Sequence, residues 1–423
     1  MRKKKNAFTL IELLAVIAIL AIILVISIPK ILDVIETSKI NTLKNTVKLI
    51  ADSAEKKYTE NEAFGEENEI TCDSVSKLNK EDYSKCSIVF DENGIAKVSI
   101  LGRGKFKGLK VIEATKTNAE VIKLEAPKYG ITAVEYIKQQ YEYDGDGLKI
   151  DNTPDENIRY YGSDPNNYVR FNNELWRIIG VFGNNVKLIR SEKLGNLSWD
   201  SSESSVNGGW GVNEWSQSDL KNYLNTMYYG GTSVTCYNGQ NKKEVTCPTN
   251  KLDETSKSFI DNHSWNIGAP NHSTLNNSTT QSYDTVEFYK AERGNETGKI
   301  CSSSNYCNDT VNRTTTWTGY VGLPYITDYA YASGGDDCNT KIDQSSTDKC
   351  KNNNWMFKNT WYWTLSPAAY SDCDNRVWFV FGAGYTGGNF AAVPLSAFPT
   401  IYLKSNILIE SGTGTSSDPY ILK

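Results

Sequence analysis

Phe8-Thr9-Leu10-Ile11-Glu12-Leu13-Leu14 opens a run of 21 residues, ending at Ile28, that only Thr9, Glu12 and Ser27 interrupt. At about 1.5 Å of rise per residue the run spans about 30 Å as a helix, the thickness of one hydrocarbon core. Arg2, Lys3, Lys4 and Lys5 precede it, which predicts a cytoplasmic N-terminus with the rest of the chain outside. An ordinary secretory signal fits less well. Its apolar core is shorter, about 7–15 residues, and the exit Ser27-Ile28-Pro29-Lys30 offers no small-x-small cleavage site. A carboxylate in such a helix costs several kcal/mol, so Glu12 reads as functional and needs a partner.

The junction Ala7-Phe8-Thr9-Leu10-Ile11-Glu12 resembles the leader junction of the type IV pilin family. The resemblance implies that a prepilin peptidase cuts between Ala7 and Phe8 on the cytoplasmic side and that Phe8 is then N-methylated. It also implies that Glu12, four residues on, pairs with the Phe8 amine of a neighbouring subunit. Pro29, 21 residues after Phe8, matches the family's helix-kinking proline. Ala7 stands where the family usually has glycine. A buried pair of this kind would set the register between subunits. The simpler alternative is an uncleaved signal anchor.

Beyond the apolar run the pattern becomes amphipathic. Ile31, Val34 or Ile35, Ile40, Leu43, Val47, Ile50, Ala54 and Tyr58 recur every three to five residues, with Lys39, Lys44, Lys48, Asp52 and Lys56 between them. This is a helix with one buried stripe. Joined to the membrane part it predicts a single kinked helix over residues 8–58, about 76 Å long. Ser87–Phe90 and Ile95–Leu101 flank Asp91-Glu92-Asn93-Gly94, a hairpin signal. Leu109–Ala114 and Glu120–Leu124 read as further strands. A small antiparallel sheet over residues 59–128 is what the pilin resemblance also implies.

Residues 129–156 read as a boundary, with a short helix over 131–140 and then the turn-rich Asp144-Gly145-Asp146-Gly147. The Asp/Gly alternation lacks the closing Glu of a calcium loop, and no metal or cofactor is expected there or elsewhere. Residues 157–423 differ in composition: all ten tryptophans lie at or beyond Trp176, among many Tyr, Asn, Ser, Thr and Gly. Strands are predicted at 167–171, 174–181, 185–190, 377–381, 399–403 and 407–410, and short helices at 214–228 and 252–260. The fold class is therefore α+β: a long transmembrane and amphipathic helix, a small sheet, then a large loop-rich domain.

The motifs Tyr168–Gly180, Ala291-Glu292-Arg293-Gly294, Trp363-Thr364-Leu365-Ser366-Pro367, Ile401–Ser405 and Gly412–Tyr420 resemble a domain of unknown function from Gram-positive surface proteins. Its ending is similar to C-type-lectin-like folds. Phe398 occupies the position before Pro399 where many members carry arginine. The lectin calcium signatures Glu-Pro-Asn and Trp-Asn-Asp are absent, so the likeness does not imply calcium-dependent sugar binding.

Composition narrows the function. The chain has 423 residues, 39% apolar and 22% charged, with a net charge of −5, too apolar for a disordered chain and too polar for a polytopic membrane protein. The acidic balance argues against nucleic acid as a partner. Nine cysteines against two histidines suit disulfides better than zinc. Cys72/Cys86, Cys236/Cys247, Cys301/Cys307 and Cys338/Cys350 form the simplest of many pairings, leaving Cys373 over. The Cys72/Cys86 loop would be worth roughly 3 kcal/mol in the chain-entropy model.

His263 and His272 lie in polar surroundings without a Cys pair, and neither a nucleophile elbow nor a phosphate loop is present. The chain is expected not to be an enzyme. Trp355, Trp361, Trp363 and Trp378 are candidate ligand-binding aromatics, although core packing is the favoured reading of them.

Two functions stand side by side. One is a minor pilin or pseudopilin at the cell surface. It would assemble with other pilin subunits from the cytoplasmic membrane and display residues 157–423 to an extracellular glycan or protein. The other is an anchored sugar-binding protein or enzyme that uses the leader only for export.

Overall fold

The computed structural model describes residues 10–65, 68–76, 78–145, 147–270, 284–294, 314–335, 337–342, 347–369 and 374–423. The chain divides into two units, residues 1–126 with 142–145, and residues 127–141 with 146–423.

The first unit is built on α1, Leu10–Phe64, a 55-residue helix that continues through Pro29. That is about 82 Å at the usual rise. Its two halves differ as the residues demand. Leu10, Leu14, Ile17, Leu24, Ile28 and Ile35 stay exposed, whereas Leu43, Val47, Ile50, Ala51 and Ala54 are buried. Those five recur at helical spacing, so they share one face. The face packs on a four-stranded antiparallel sheet ordered β1 (Tyr83–Phe90), β2 (Ala96–Gly102), β3 (Leu109–Ala114) and β4 (Val121–Lys123). Ala96, Val98 and Ile100, alternate residues of β2, supply the facing core with Phe106, Leu109 and Val111. In the β1–β2 turn Asp91 Oδ1 accepts the Asn93 and Ile95 amides. Gly94 there takes φ +73°, which a side chain would strain. Cys72 and Cys86 form a disulfide that ties the loop after α1 to β1.

The second unit holds a ten-stranded sheet. Its main path runs Val321–Gly322, Thr400–Tyr402, β10 (Asn185–Arg190), β9 (Glu174–Phe182), β8 (Tyr168–Phe171), Tyr420–Leu422, Leu408–Ser411 and β5 (Ile131–Thr132). Off that path β7 (Ile158–Tyr160) pairs with β9 and β6 (Leu148–Ile150) pairs with β7. All pairings are antiparallel except that of Tyr420–Leu422 with β8.

A five-stranded sheet carries Tyr362–Pro367 and Arg376–Val380 at its centre. Two short helices, Thr285–Glu292 and Ile326–Tyr331, pack on one another, and the second also packs on those central strands. The strands expected at 399–403 and 407–410 appear as Thr400–Tyr402 and Leu408–Ser411. The helix expected over 131–140 runs Ala133–Tyr143 instead. Ile131 and Thr132 are drawn into the sheet by Leu408 and Ile409.

Candidate functional site

Ala7 and Phe8 lie outside the described residues. Glu12 sits in the first turn of α1, and Pro29 stands within the helix. Pro29 brings no amide to the helical ladder, so the carbonyl one turn earlier loses its usual donor. From Leu10 to Ile35 large apolar side chains face outward on all sides. A surface of this size and composition is stable in lipid or against other apolar helices, not in water. Among the described residues α1 is the one helix long and apolar enough to cross a membrane.

In the second unit Cys236–Cys247 and Cys338–Cys350 are bonded. Cys301, Cys307, Cys373 and His272 lie outside the described residues. His263 is half-buried, stacks on Tyr402 at 3.7 Å between ring centres and contacts Asp261 through Nδ1. Burial lowers its pKa, against the opposing pull of Asp261. No group of three or more metal-ligating side chains occurs among the described residues.

The four candidate tryptophans separate sharply. Trp355, Trp363 and Trp378 are buried, and their indole N–H groups donate to the carbonyls of Tyr160, Leu197 and Pro270. Their faces are occupied by protein, which corrects the expectation that all four could meet a ligand. Trp361 is 47% exposed. It packs on Phe381 at 5.0 Å and Phe379 at 5.6 Å, and Phe381 stacks on Tyr385, itself 43% exposed. The result is an open aromatic patch beside the buried strand Arg376–Val380.

A buried charge cluster was not anticipated from the sequence. Arg159 on β7 donates through Nε to Asp151 at 2.5 Å and through Nη1 to Asp328 at 2.8 Å. Lys187 on β10 donates to the other Asp328 oxygen at 2.5 Å. Every one of these side chains is at most 1% exposed. Asp151 also accepts from Thr153 and Asn157. Burial raises the Asp328 pKa, but Lys187 and Arg159 together outweigh it and hold the carboxyl below its usual range. The available signal was Lys187 alone in the apolar Val186-Lys187-Leu188-Ile189, a charge in a strand that is buried on both faces.

Nearby in the fold, Glu292 accepts from the Thr327 hydroxyl and from Ser366 at 2.7 Å, and burial pushes its pKa up to about 7. Burial and neighbouring Asp219 push Asp200 up to about 7 as well. A folded-state pKa above the unfolded value means that the native state binds a proton the unfolded chain releases. Stability is therefore fullest below about pH 4.5 for this term and is lost as pH rises through 7. For Glu292 alone that is about 3 kcal/mol. His263 contributes with the opposite sign. Glu292→Gln is expected to flatten the decline in thermal stability between about pH 5 and about pH 8 relative to wild type. Parallel curves for the two proteins would count against it.

Residues 2–28 match the family described as Prokaryotic N-terminal methylation motif. No curated protein and no solved structure matches the chain, so the likeness of the C-terminal unit to lectin-like folds rests on its sequence motifs alone. The methylation motif, followed by a helix that can span a membrane and then packs on a small sheet, fits a type IV pilin-like protein.

Proposed function

We propose that the chain is a minor pilin or pseudopilin whose second unit is displayed outside the cell for adhesion. The observation that carries this reading is α1 itself. One continuous helix joins the methylation motif to a buried stripe at Leu43–Ala54, so whatever holds the apolar half holds the sheet as well. Prepilin peptidase is the processing partner and other pilin-type subunits are the assembly partners. Size favours a minor position, because the second unit makes up roughly two thirds of the chain and would crowd a repeating shaft. Mass spectrometry of filaments sheared from cells should find the chain at low abundance with methyl-Phe8 at its N-terminus. An intact Met1, or absence from filaments, would reject the proposal.

A binding role rather than a catalytic one completes it. The acid–base groups with the strongest shifts are buried away from substrates, while the aromatic patch is open. Trp361, Phe381 and Tyr385 suit a sugar ring, whose C–H face stacks on aromatic rings. On a glycan array probed with the full chain in detergent, Trp361→Ala is expected to weaken binding about tenfold, the effect of about 1.4 kcal/mol. Its unfolding midpoint should hardly move, because half of the ring is already in water. Undiminished glycan binding by the variant would remove the patch from the ligand site.

A further inference from the structure

Lys187 and Asp328 are 141 residues apart in sequence and come together in the interior of the second unit. Lys187 Nζ stands 2.5 Å from Asp328 Oδ2, with the two side chains 0% and 1% exposed. The rings of Tyr325, Tyr402, Phe182 and Trp265 surround the Nζ at 4.1, 5.3, 5.4 and 5.6 Å. They leave the amine little room to move and exclude water. Arg159 Nη1 donates to Asp328 Oδ1 at 2.8 Å, and the Tyr325 amide donates to Oδ2 at 2.9 Å. An amine, a carboxyl group and a cation on the remaining oxygen are thus fixed in one dry site.

The geometry points to an intramolecular amide bond between Lys187 Nζ and Asp328 Cγ, formed by the protein on itself. The ammonium passes a proton to Oδ2 across the short contact, which leaves a neutral amine and a neutral carboxyl group. Lys187 and Arg159 hold Asp328 ionised at rest, so the neutral pair is a minor state, and desolvation of the buried amine narrows the gap that the proton must cross. Burial also pushes the Lys187 pKa down to about 8. The nitrogen lone pair then attacks Cγ, and negative charge gathers on Oδ1, where Arg159 already donates. The C–Oδ2 bond breaks, and Oδ2 leaves as water after taking a second proton from the nitrogen. Ammonium plus carboxylate thereby become amide plus one water, with no oxidant or co-reactant. Held neighbours gain a large effective concentration, which offsets the difficulty of the step. Two buried charges disappear, and Arg159 with Asp151 remains as a balanced pair. The product would tie β10 to the helix Ile326–Tyr331 and close a covalent loop through the unit.

The wild-type chain decides the matter. After correction for leader removal, disulfides and N-terminal methylation, its intact mass is expected to fall short of the sequence by one water. Tandem mass spectrometry of a tryptic digest is expected to find a branched peptide joining residue 187 to residue 328. Lys187→Arg keeps the charge and should restore the missing water. Full mass with ordinary tryptic cleavage after Lys187, or a water loss placed at any other residue, would overturn the proposal. The wild-type measurement holds even if the variant fails to fold, and it is independent of whether the chain enters filaments.

Discussion

In sheared filaments, Glu12→Val should be cleaved and methylated at Phe8 like wild type yet incorporated at about a tenth of the wild-type level or less. The argument is one of charge in a low dielectric. Cleavage leaves a new ammonium at the start of an apolar helix, and Glu12 lies one turn away in the first turn of α1. Neither charge is stable alone among hydrocarbon. Packed head to head, a carboxylate from one subunit and an ammonium from the next neutralise one another. Removing one partner of such a pair costs about 3–5 kcal/mol, because the other stays buried and unpaired. Even 1.4 kcal/mol of that is a factor of about ten in an assembly equilibrium. Cleavage is a separate matter, since on the proposed function the peptidase would act at Ala7–Phe8 before assembly. Glu12→Gln keeps the hydrogen-bonding shape without the charge and should fall between the two. Wild-type incorporation of Glu12→Val would show that the charge does not hold subunits together.

How much of this architecture can be read in the sequence depends on whether the information is local. The helix was expected to stop near Tyr58 and runs to Phe64. Nothing between them breaks it, and Gly65 at φ +67° ends it. The strands of the first unit were legible because alternation and Asn93-Gly94 are local signals. The predicted helix over 214–228 is really a 3₁₀ turn, one α turn and a π segment at Tyr223–Tyr229. There Asn225 gives its side chain to Lys221 and to the backbone of Tyr320 and Val321. That partner lies almost a hundred residues away and leaves no periodic trace. The tryptophans show the same limit. Trp361 and Trp363 both reach Phe379, as alternate residues should, but only the second lies under other chain. Three disulfides join cysteines 11 to 14 residues apart, close enough for spacing to suggest them. The charge cluster draws on residues from 151 to 328, and apart from Lys187 in its apolar strand each of its charges would pass for a surface residue.

Arg159→Met is expected to destabilise the second unit by about 3–5 kcal/mol, a large share of the about 5–15 kcal/mol that holds a typical domain together. Arg159 bridges Asp151 and Asp328, two side chains that have almost no contact with water. Its guanidinium also lies between the rings of Phe182 and Tyr331, at 4.6 and 4.7 Å. Methionine fills much of the same volume and can keep the ring contacts, so the loss isolates the charge. Asp151 retains the hydroxyl of Thr153 and the amides of Asn157, but no buried cation. Asp151→Asn in the same chain removes the orphaned negative charge and should recover part of the loss. A double-mutant cycle in urea, read as the shift of the unfolding midpoint at constant slope, measures that recovery as coupling. A single-variant loss below about 1 kcal/mol would place this pair with weak surface bridges. It would mean that the hydroxyl and amide donors around Asp151, not the arginine, make its burial tolerable. A large loss with no recovery would point instead to the guanidinium's packing between Phe182 and Tyr331. Only a loss that the second substitution partly reverses identifies charge balance as what Arg159 contributes to the fold.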